Sequence, residues 1–148
     1  RIVQLAEAIP NAQRIIDATG LLVLPGGIDS HVHLDQPSGE AITMADGFES
    51  GTRAAAAGGT TTVIPFALQI KGTSLRACVS DYHQKALGNA HVDYGFHLLV
   101  SDPTPTVLNQ ELPALFADGF QRCVRVDQDG VPGEFQEGQV CHAVRVAP

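Results

Sequence analysis

Residues 21–36 read LLVLPGGIDSHVHLDQ, and the rest of the chain is arranged around this stretch. An apolar run ends at a Gly26-Gly27 break, and a second short run, residues 28–34, carries His31 and His33 two positions apart. Side chains two residues apart on a β-strand point to the same face, so a strand here would hold the two imidazoles about 6–7 Å apart. Two neutral imidazoles that converge in this way can bind zinc or a similar ion. The same spacing also fits two ordinary half-buried histidines.

Acidic residues flank the histidine pair, and a loop follows it. By the same alternation, Asp29 and Asp35 would share the face of the histidines. Asp35 and Gln36 precede the loop residues 37–39 and would line the mouth of a site, where they could orient a substrate or an imidazole, or be solvated. Barrels of the α/β class place their chemistry at the carboxyl ends of strands, which favours the metal hypothesis.

Composition limits the classes of function. The 148 residues fit at most one ordinary domain, and 44% hydrophobic with 17% charged residues is a globular composition. A net charge of −7 without a cluster of Lys and Arg argues against nucleic acid or an anionic membrane as a partner. No apolar run approaches the about 18 residues of a membrane span. Three scattered cysteines fit a reducing compartment and predict a cytoplasmic protein.

Strands and helices are predicted to alternate from residue 28 onward. The predicted strands lie at 28–34, 60–66, 91–100 and 120–126, and the predicted helices at 46–57, about 74–87 and about 106–117. Such alternation indicates βαβ units and a parallel sheet. Because a (β/α)8 barrel needs about 250 residues, the chain would hold about four units of a partial TIM-type barrel of the α/β class. Short strands at 1–5, 14–17 and 21–24 would form a small antiparallel patch before it.

The chain resembles a known family. Residues 25–37, PGGIDSHVHLDQP, resemble the opening metal motif of the amidohydrolase superfamily. Within that superfamily, the residues are similar to those of the dihydropyrimidinase and hydantoinase branch, the cyclic amidases. MADGFESGTRAAAAGGTTTVIPFAL, residues 44–68, and the region from 72 to about 120 resemble the same branch. A continuous match of this length is far more specific than two histidines alone.

The end of the chain is expected to depart from the family, with the resemblance stopping after Phe120. The family's fourth barrel strand carries a lysine that becomes carboxylated and bridges two metal ions. Val124 aligns with that lysine, and the neighbouring Arg125 cannot form the carbamate. A frameshift, a retained intron and a genuinely divergent end all remain open. The implied division is a small β-domain at 1–26, the first half of a metal-dependent hydrolase barrel at 27–126, and a divergent tail at 127–148.

The resemblance implies a metal-dependent hydrolase that opens the ring amide of a small dihydropyrimidine or hydantoin to an N-carbamoyl amino acid. His31 and His33 would hold the more buried of two zinc ions. The remaining family ligands come from later strands that the chain does not contain. We therefore expect an inactive portion of a homo-oligomeric enzyme, and we assign no catalytic residue. A non-catalytic assembly protein and a truncated product without its own function are the alternatives.

The sequence gives less support for a functional role of the other histidines and of Cys78. His97 could act behind the metal ligands, but a satisfied core histidine is the favoured reading. His83 lies in a predicted helix and is expected at the surface. His91 and His142 are given no role. Cys78 is expected to pack rather than to act as a nucleophile, because no His/Asp partner spacing supports catalysis.

Overall fold

The computed structural model describes residues 3–37 and 43–118, together with two short strands nearer the C-terminus. A π-helical stretch, Val107–Glu111, continues directly into the last helix. In chain order the elements are β1 (Gly27–Val32), α1 (Phe48–Ala57), β2 (Thr60–Leu68), α2 (Leu75–Ala86), β3 (Asp93–Tyr94), β4 (His97–Val100), α3 (Leu112–Ala117), β5 (Arg122–Arg125) and β6 (Cys141–His142).

The strands form one sheet in the order β1-β2-β4-β5-β6, and β3 also pairs with β2. The pairs of β2 with β1, β3 and β4 are parallel, as is the pair of β4 with β5, whereas β5 and β6 are antiparallel. Each of the three helices connects one parallel strand to the next. This arrangement confirms the predicted α/β class with a parallel sheet, because parallel neighbours require a crossover segment.

The predicted strand at 91–100 is divided in two. β3 and β4 both run along β2, and residues 95 and 96 separate them. The Gly95 amide still donates to the carbonyl of Val63 at 3.1 Å. Glycine weakens a strand interior because it has no side chain to pack, which accounts for the interruption at this point.

The centre of the sheet is β2, where residues 63–67 are all buried. A strand covered on both faces is expected to be continuously apolar, and this one is. Pro65 lies opposite Val32 of β1, next to a register irregularity between Asp29 and Val32. Proline has no N–H to donate to a ladder, so the contact between β1 and β2 is irregular where the two strands approach their carboxyl ends.

Helices α1 and α2 cover the sheet through aromatic contacts. Phe96 meets Tyr82 of α2 and Phe48 of α1 edge-on, with ring centroids 5.9 and 6.2 Å away. All three side chains are about 1% exposed. Among the described residues, no helix is long and apolar enough to cross a lipid bilayer.

The two long helices begin in different ways. Ser74 caps α2, since its Oγ accepts from the Ala77 amide at 3.3 Å. The Glu111 carboxylate accepts from the Leu75 amide of the same helix at 2.6 Å. Helix α1 begins at Phe48, two residues after the start predicted at residue 46, and the acceptor for its first amide is the carboxylate of Asp35.

The strands predicted within residues 1–24 are not formed in their described part, residues 3–24. Hydrogen bonding there is local, as in the turn that joins the Leu21 amide to the Ala18 carbonyl at 2.9 Å. Large apolar side chains are exposed, Leu22 by 89%. The prediction was wrong because apolar, β-branched residues do not form a strand without a neighbour to take up the hydrogen bonds.

Candidate functional site

Strand β1 places two histidines at the edge of the sheet. His31 lies in β1, and His33 is the first residue after it, since the strand ends at Val32 and not at residue 34 as predicted. The two ring centroids are 5.3 Å apart and the ring planes meet at 70°. Both side chains are exposed. The imidazoles therefore lie side by side and open to solvent, and metal ligation by them stays a prediction.

Phe66 of β2 forms a platform beneath both imidazoles. Its ring centroid lies 4.6 Å from that of His31, edge-on, and 5.1 Å from that of His33, with the latter two planes only 15° apart. Phe66 is 7% exposed, so it is held by the core while the histidines face outward. Sequence reasoning missed this residue. The available signal was its place near the end of the strand predicted to run parallel to β1.

Gln36 holds His33 in one tautomer. The Gln36 Oε1 atom is in hydrogen-bond contact with His33 Nδ1. An amide oxygen can only accept, so His33 Nδ1 donates and the neutral ring keeps its lone pair on Nε2. Histidines that ligate metal ions commonly have their second nitrogen held in this way. Of the roles considered for Gln36, the structure supports the orientation of an imidazole.

The two aspartates that flank the histidines do not join them. Asp29 Oδ1 accepts from the backbone amide of His31 at 3.1 Å. Asp35 adopts a positive φ of 48°, which breaks the strand alternation, and its Oδ2 accepts from the Phe48 amide at 2.7 Å. The prediction that Asp35 shares the histidine face was wrong, because the unpaired amide at the start of α1 attracts the carboxylate.

The described donors fit part of a metal centre. No group of three or more His, Cys, Asp or Glu side chains that could hold a metal ion is present in residues 3–37 and 43–118. A catalytic zinc ion usually has three protein ligands and one open position. Among the described residues, His31 and His33 supply two suitable nitrogen donors, one fewer than such a site uses.

His97 is buried directly behind the pair. It is 4% exposed, and its Nε2 lies 2.7 Å from the carbonyl oxygen of Ser30. Its ring centroid is 4.8 Å from that of Phe66. These contacts agree with the favoured reading of His97 as a core histidine, and they also bring it next to β1.

The structure shows the environments of two of the remaining histidines. His83 was expected at the surface, but it is half-buried, and its ring centroid is 5.1 Å from that of Phe96 because this face of α2 packs on the sheet. His91 is exposed, with its Nε2 3.5 Å from a carboxylate oxygen of Glu49. The side chain of His142 lies outside the described residues.

Cys78 and Tyr82 are buried on the inner face of α2. Burial raises the pKa of the Cys78 thiol to about 12, with a further contribution from the nearby Asp81 carboxylate. Burial also raises the pKa of the Tyr82 hydroxyl. A buried thiol that keeps its proton is a poor nucleophile, so the packing role expected of Cys78 is the one the structure supports.

Known proteins resemble this chain over most of its length. The sequence profile described as "Amidohydrolase family" matches residues 22–127. The D-hydantoinase of Geobacillus stearothermophilus is 54% identical over 104 residues, which is 70% of this chain and 22% of that protein. The D-hydantoinase of Streptomyces coelicolor is 44% identical over 144 residues, 96% of this chain and 30% of that protein. The solved dihydropyrimidinase of Brevibacillus agri superposes with a TM-score of 0.76 at 41% identity, covering 89% of this chain and 28% of its own.

The chain belongs to the amidohydrolase family, because the family profile matches more than half of it. It spans between 22% and 30% of the length of the two hydantoinases. The match also continues beyond Phe120, so the prediction that the resemblance stops there was wrong. The physical reason is visible in the sheet, where β5 continues the parallel series and Val124 lies opposite Leu99 of β4. In the tail at 127–148, Cys141–His142 is the only described segment.

Proposed function

We propose that this chain is part of a metal-dependent cyclic amidase and that His31 and His33 hold a zinc ion in it. The observation that carries the proposal is the pair of exposed imidazoles 5.3 Å apart on the buried Phe66 ring. Membership of the amidohydrolase family implies a metal cofactor, and imidazole nitrogen suits zinc.

The parallel sheet would be one part of a (β/α)8 barrel. Three described parallel strand-to-strand crossovers, each with a helix, support this architecture, as does the superposition with the Brevibacillus enzyme. In such a barrel the histidines lie at the carboxyl end of β1, the edge at which these enzymes place their chemistry. We retain residues 27–126 as the barrel portion. Residues 1–26 would be part of a small β-domain only where further strands of the whole protein pair with them, since residues 3–24 form no strand here.

The proposed substrate is a small cyclic amide, a hydantoin or a dihydropyrimidine, in line with the names of the relatives. Zinc at this position would supply an activated water and polarise the ring carbonyl. The residues of this chain have supporting tasks. Gln36 keeps the lone pair of His33 on Nε2, and Phe66 limits the ring orientations of both histidines.

Zinc titration of the 148-residue chain by calorimetry tests the ligand assignment. We expect binding of one ion, weakened at least about tenfold by His31→Ala or by His33→Ala, because each removes one of two donors. His91→Ala is the matched control, since His91 is also exposed but lies outside the pair. Equal zinc affinity in the wild-type chain and both single variants would contradict the assignment.

Turnover is the second measurement. The described residues supply two imidazole ligands, one fewer than the usual zinc set, so we expect no ring opening of hydantoin or dihydrouracil by the 148-residue chain in added zinc. Ring opening that is abolished by His31→Ala would show that the chain supplies a complete site.

A non-catalytic assembly protein is the second candidate, and exposed apolar side chains near the N-terminus favour it. Val3, Leu5 and Leu22 are each more than 85% exposed. Surfaces of this kind mark contacts between chains, and we expect the whole protein to be a homo-oligomer under either candidate. Stable oligomers without zinc binding would favour the assembly role, and stoichiometric zinc binding would favour the enzyme.

A further inference from the structure

A buried side chain crosses the sheet behind the paired imidazoles. His97 begins β4, and β4 is separated from β1 by the whole width of β2. Nevertheless, His97 Nε2 lies 2.7 Å from the Ser30 carbonyl oxygen in β1. A carbonyl oxygen has no proton, so Nε2 carries the hydrogen and donates it. Ser30 is the residue directly before His31, which places this bond next to the first imidazole.

The backbone around Ser30 has little regular support from the neighbouring strand. The ladder between β1 and β2 shifts register between Asp29 and Val32, and Val32 lies opposite Pro65, which has no N–H. A bond from outside the ladder is therefore well placed to fix this segment. The same His97 ring lies 4.8 Å from Phe66, the platform of both imidazoles.

We propose that His97 is a positioning residue for His31 and His33. Its Nε2–H donation to the Ser30 carbonyl fixes the backbone of β1 directly before the pair. The consequence for zinc affinity rests on the proposed function. The placement of the two imidazoles does not, because it can be measured in the chain without metal.

Two substitutions separate the hydrogen bond from the packing. His97→Phe keeps a ring against Phe66 and removes the donor. His97→Gln places its amide nitrogen where Nε2 stood and restores a donor to the Ser30 carbonyl. His83→Phe is the matched control, because His83 also packs against an aromatic ring, that of Phe96, but lies in α2, away from β1.

The first readout is nuclear Overhauser contact between the ring protons of His31, His33 and Phe66 in the 148-residue chain without metal, together with amide exchange at residues 30–33. His97→Phe should lose these ring contacts and raise amide exchange about tenfold, whereas His97→Gln and His83→Phe should stay within about twofold of wild type. Retention of the contacts in His97→Phe would overturn the proposal. Equal loss in His97→Phe and His97→Gln would also overturn it, since the donor would then be irrelevant.

The second readout is the zinc dissociation constant. Residues that hold metal ligands in place are typically worth about 10–100-fold in affinity, so we expect a loss of this size in His97→Phe and recovery in His97→Gln. Unchanged affinity in His97→Phe, in a chain that binds zinc, would contradict the positioning role. A wild-type chain that binds no zinc, but whose ring contacts still depend on the His97 donor, would overturn the proposed function and support the positioning role.

Discussion

The tautomer of His33 is controlled by a residue three positions later in the chain. Gln36 accepts from His33 Nδ1, so Nε2 is left as the nitrogen for a metal ion. Gln36→Leu removes the acceptor, and we predict about a 10–100-fold loss of zinc affinity, measured by calorimetry. Gln36→Glu keeps an acceptor oxygen at this position, now from a carboxylate, and is the matched control. A zinc affinity in Gln36→Leu equal to that of wild type would show that the contact does not matter.

Gly47 is required by the carboxylate that caps α1. A Cβ atom at Gly47 would lie 2.8 and 2.9 Å from the two carboxylate oxygens of Asp35. The backbone of Gly47, with φ −96° and ψ −172°, is open to any residue, so the clash is the only obstacle. We predict that Gly47→Ala lowers the free energy of unfolding by about 1–3 kcal/mol in urea titrations.

Gly58→Ala is the control for this prediction. It adds a methyl group at the other end of α1, where the nearest atoms are 3.5 and 3.6 Å away and φ is −84°. We expect a change within about 0.5 kcal/mol. Equal destabilisation by the two substitutions would refute the steric explanation.

At the scale of single residues, the regular spacing of side chains along a strand can be predicted from the sequence. Contacts between residues far apart in the chain cannot. The adjacency of His31 and His33 follows from two-residue spacing, and the structure has it. The capping of α1 by Asp35 could not be predicted, because it joins residues 13 apart through a positive φ. The contacts of Phe66 with the pair and of His97 with Ser30 depend on strand order, which local patterns do not specify.

Helix α2 places the Cys78 side chain in the core, and the burial of its thiol makes the free energy of unfolding depend on pH. The thiol has a pKa of about 12 in the folded chain, against an ordinary value of 9.0. Because the folded state holds its proton more tightly, the stability is fully present below pH 9 and is lost as pH rises through the interval from 9 to 12.

We therefore predict a falling free energy of unfolding above pH 9 in urea titrations. Cys78→Ala should be less stable at pH 8, because it leaves a cavity, but its stability should fall less steeply with pH. Tyr82 also has a raised pKa and is present in both chains, so the difference between the two slopes reports Cys78 together with its own contribution to the pKa of Tyr82. Identical slopes would contradict the burial effect.

Elements with internal signals were easier to predict than elements that need partners. Helix α1 ends at Gly58 and helix α2 is capped by Ser74, and both signals are local. Apolar, β-branched residues at 14–17 and 21–24 looked equally clear, yet they form no strand. A helix satisfies its own backbone, whereas a strand depends on a neighbour that a local pattern does not supply.

The molecule divides into a packed sheet with its helices and a long exposed segment before it. Residues 27–118 supply the buried aromatic core and the candidate site, while residues 3–17 are exposed throughout. Free energies of local opening follow backbone hydrogen bonding and burial, so the two parts should open independently. The candidate site lies entirely on the packed part, which is why His31 and His33 should keep their relation when the segment moves.

Limited trypsin digestion tests this division. Arg14 and Arg53 are matched sites, because both are exposed, but Arg53 lies in α1 and pairs with Glu49 at 2.7 Å. Proteases need several residues of extended backbone, which the segment around Arg14 offers and a helix does not. We predict that cleavage after Arg14 precedes cleavage after Arg53 by at least about tenfold in time, and that Arg14→Gln removes the early fragment. Cleavage at both sites at the same rate would mean that α1 opens as readily as the segment. The histidine pair would then lack the rigid support that the proposed metal site requires.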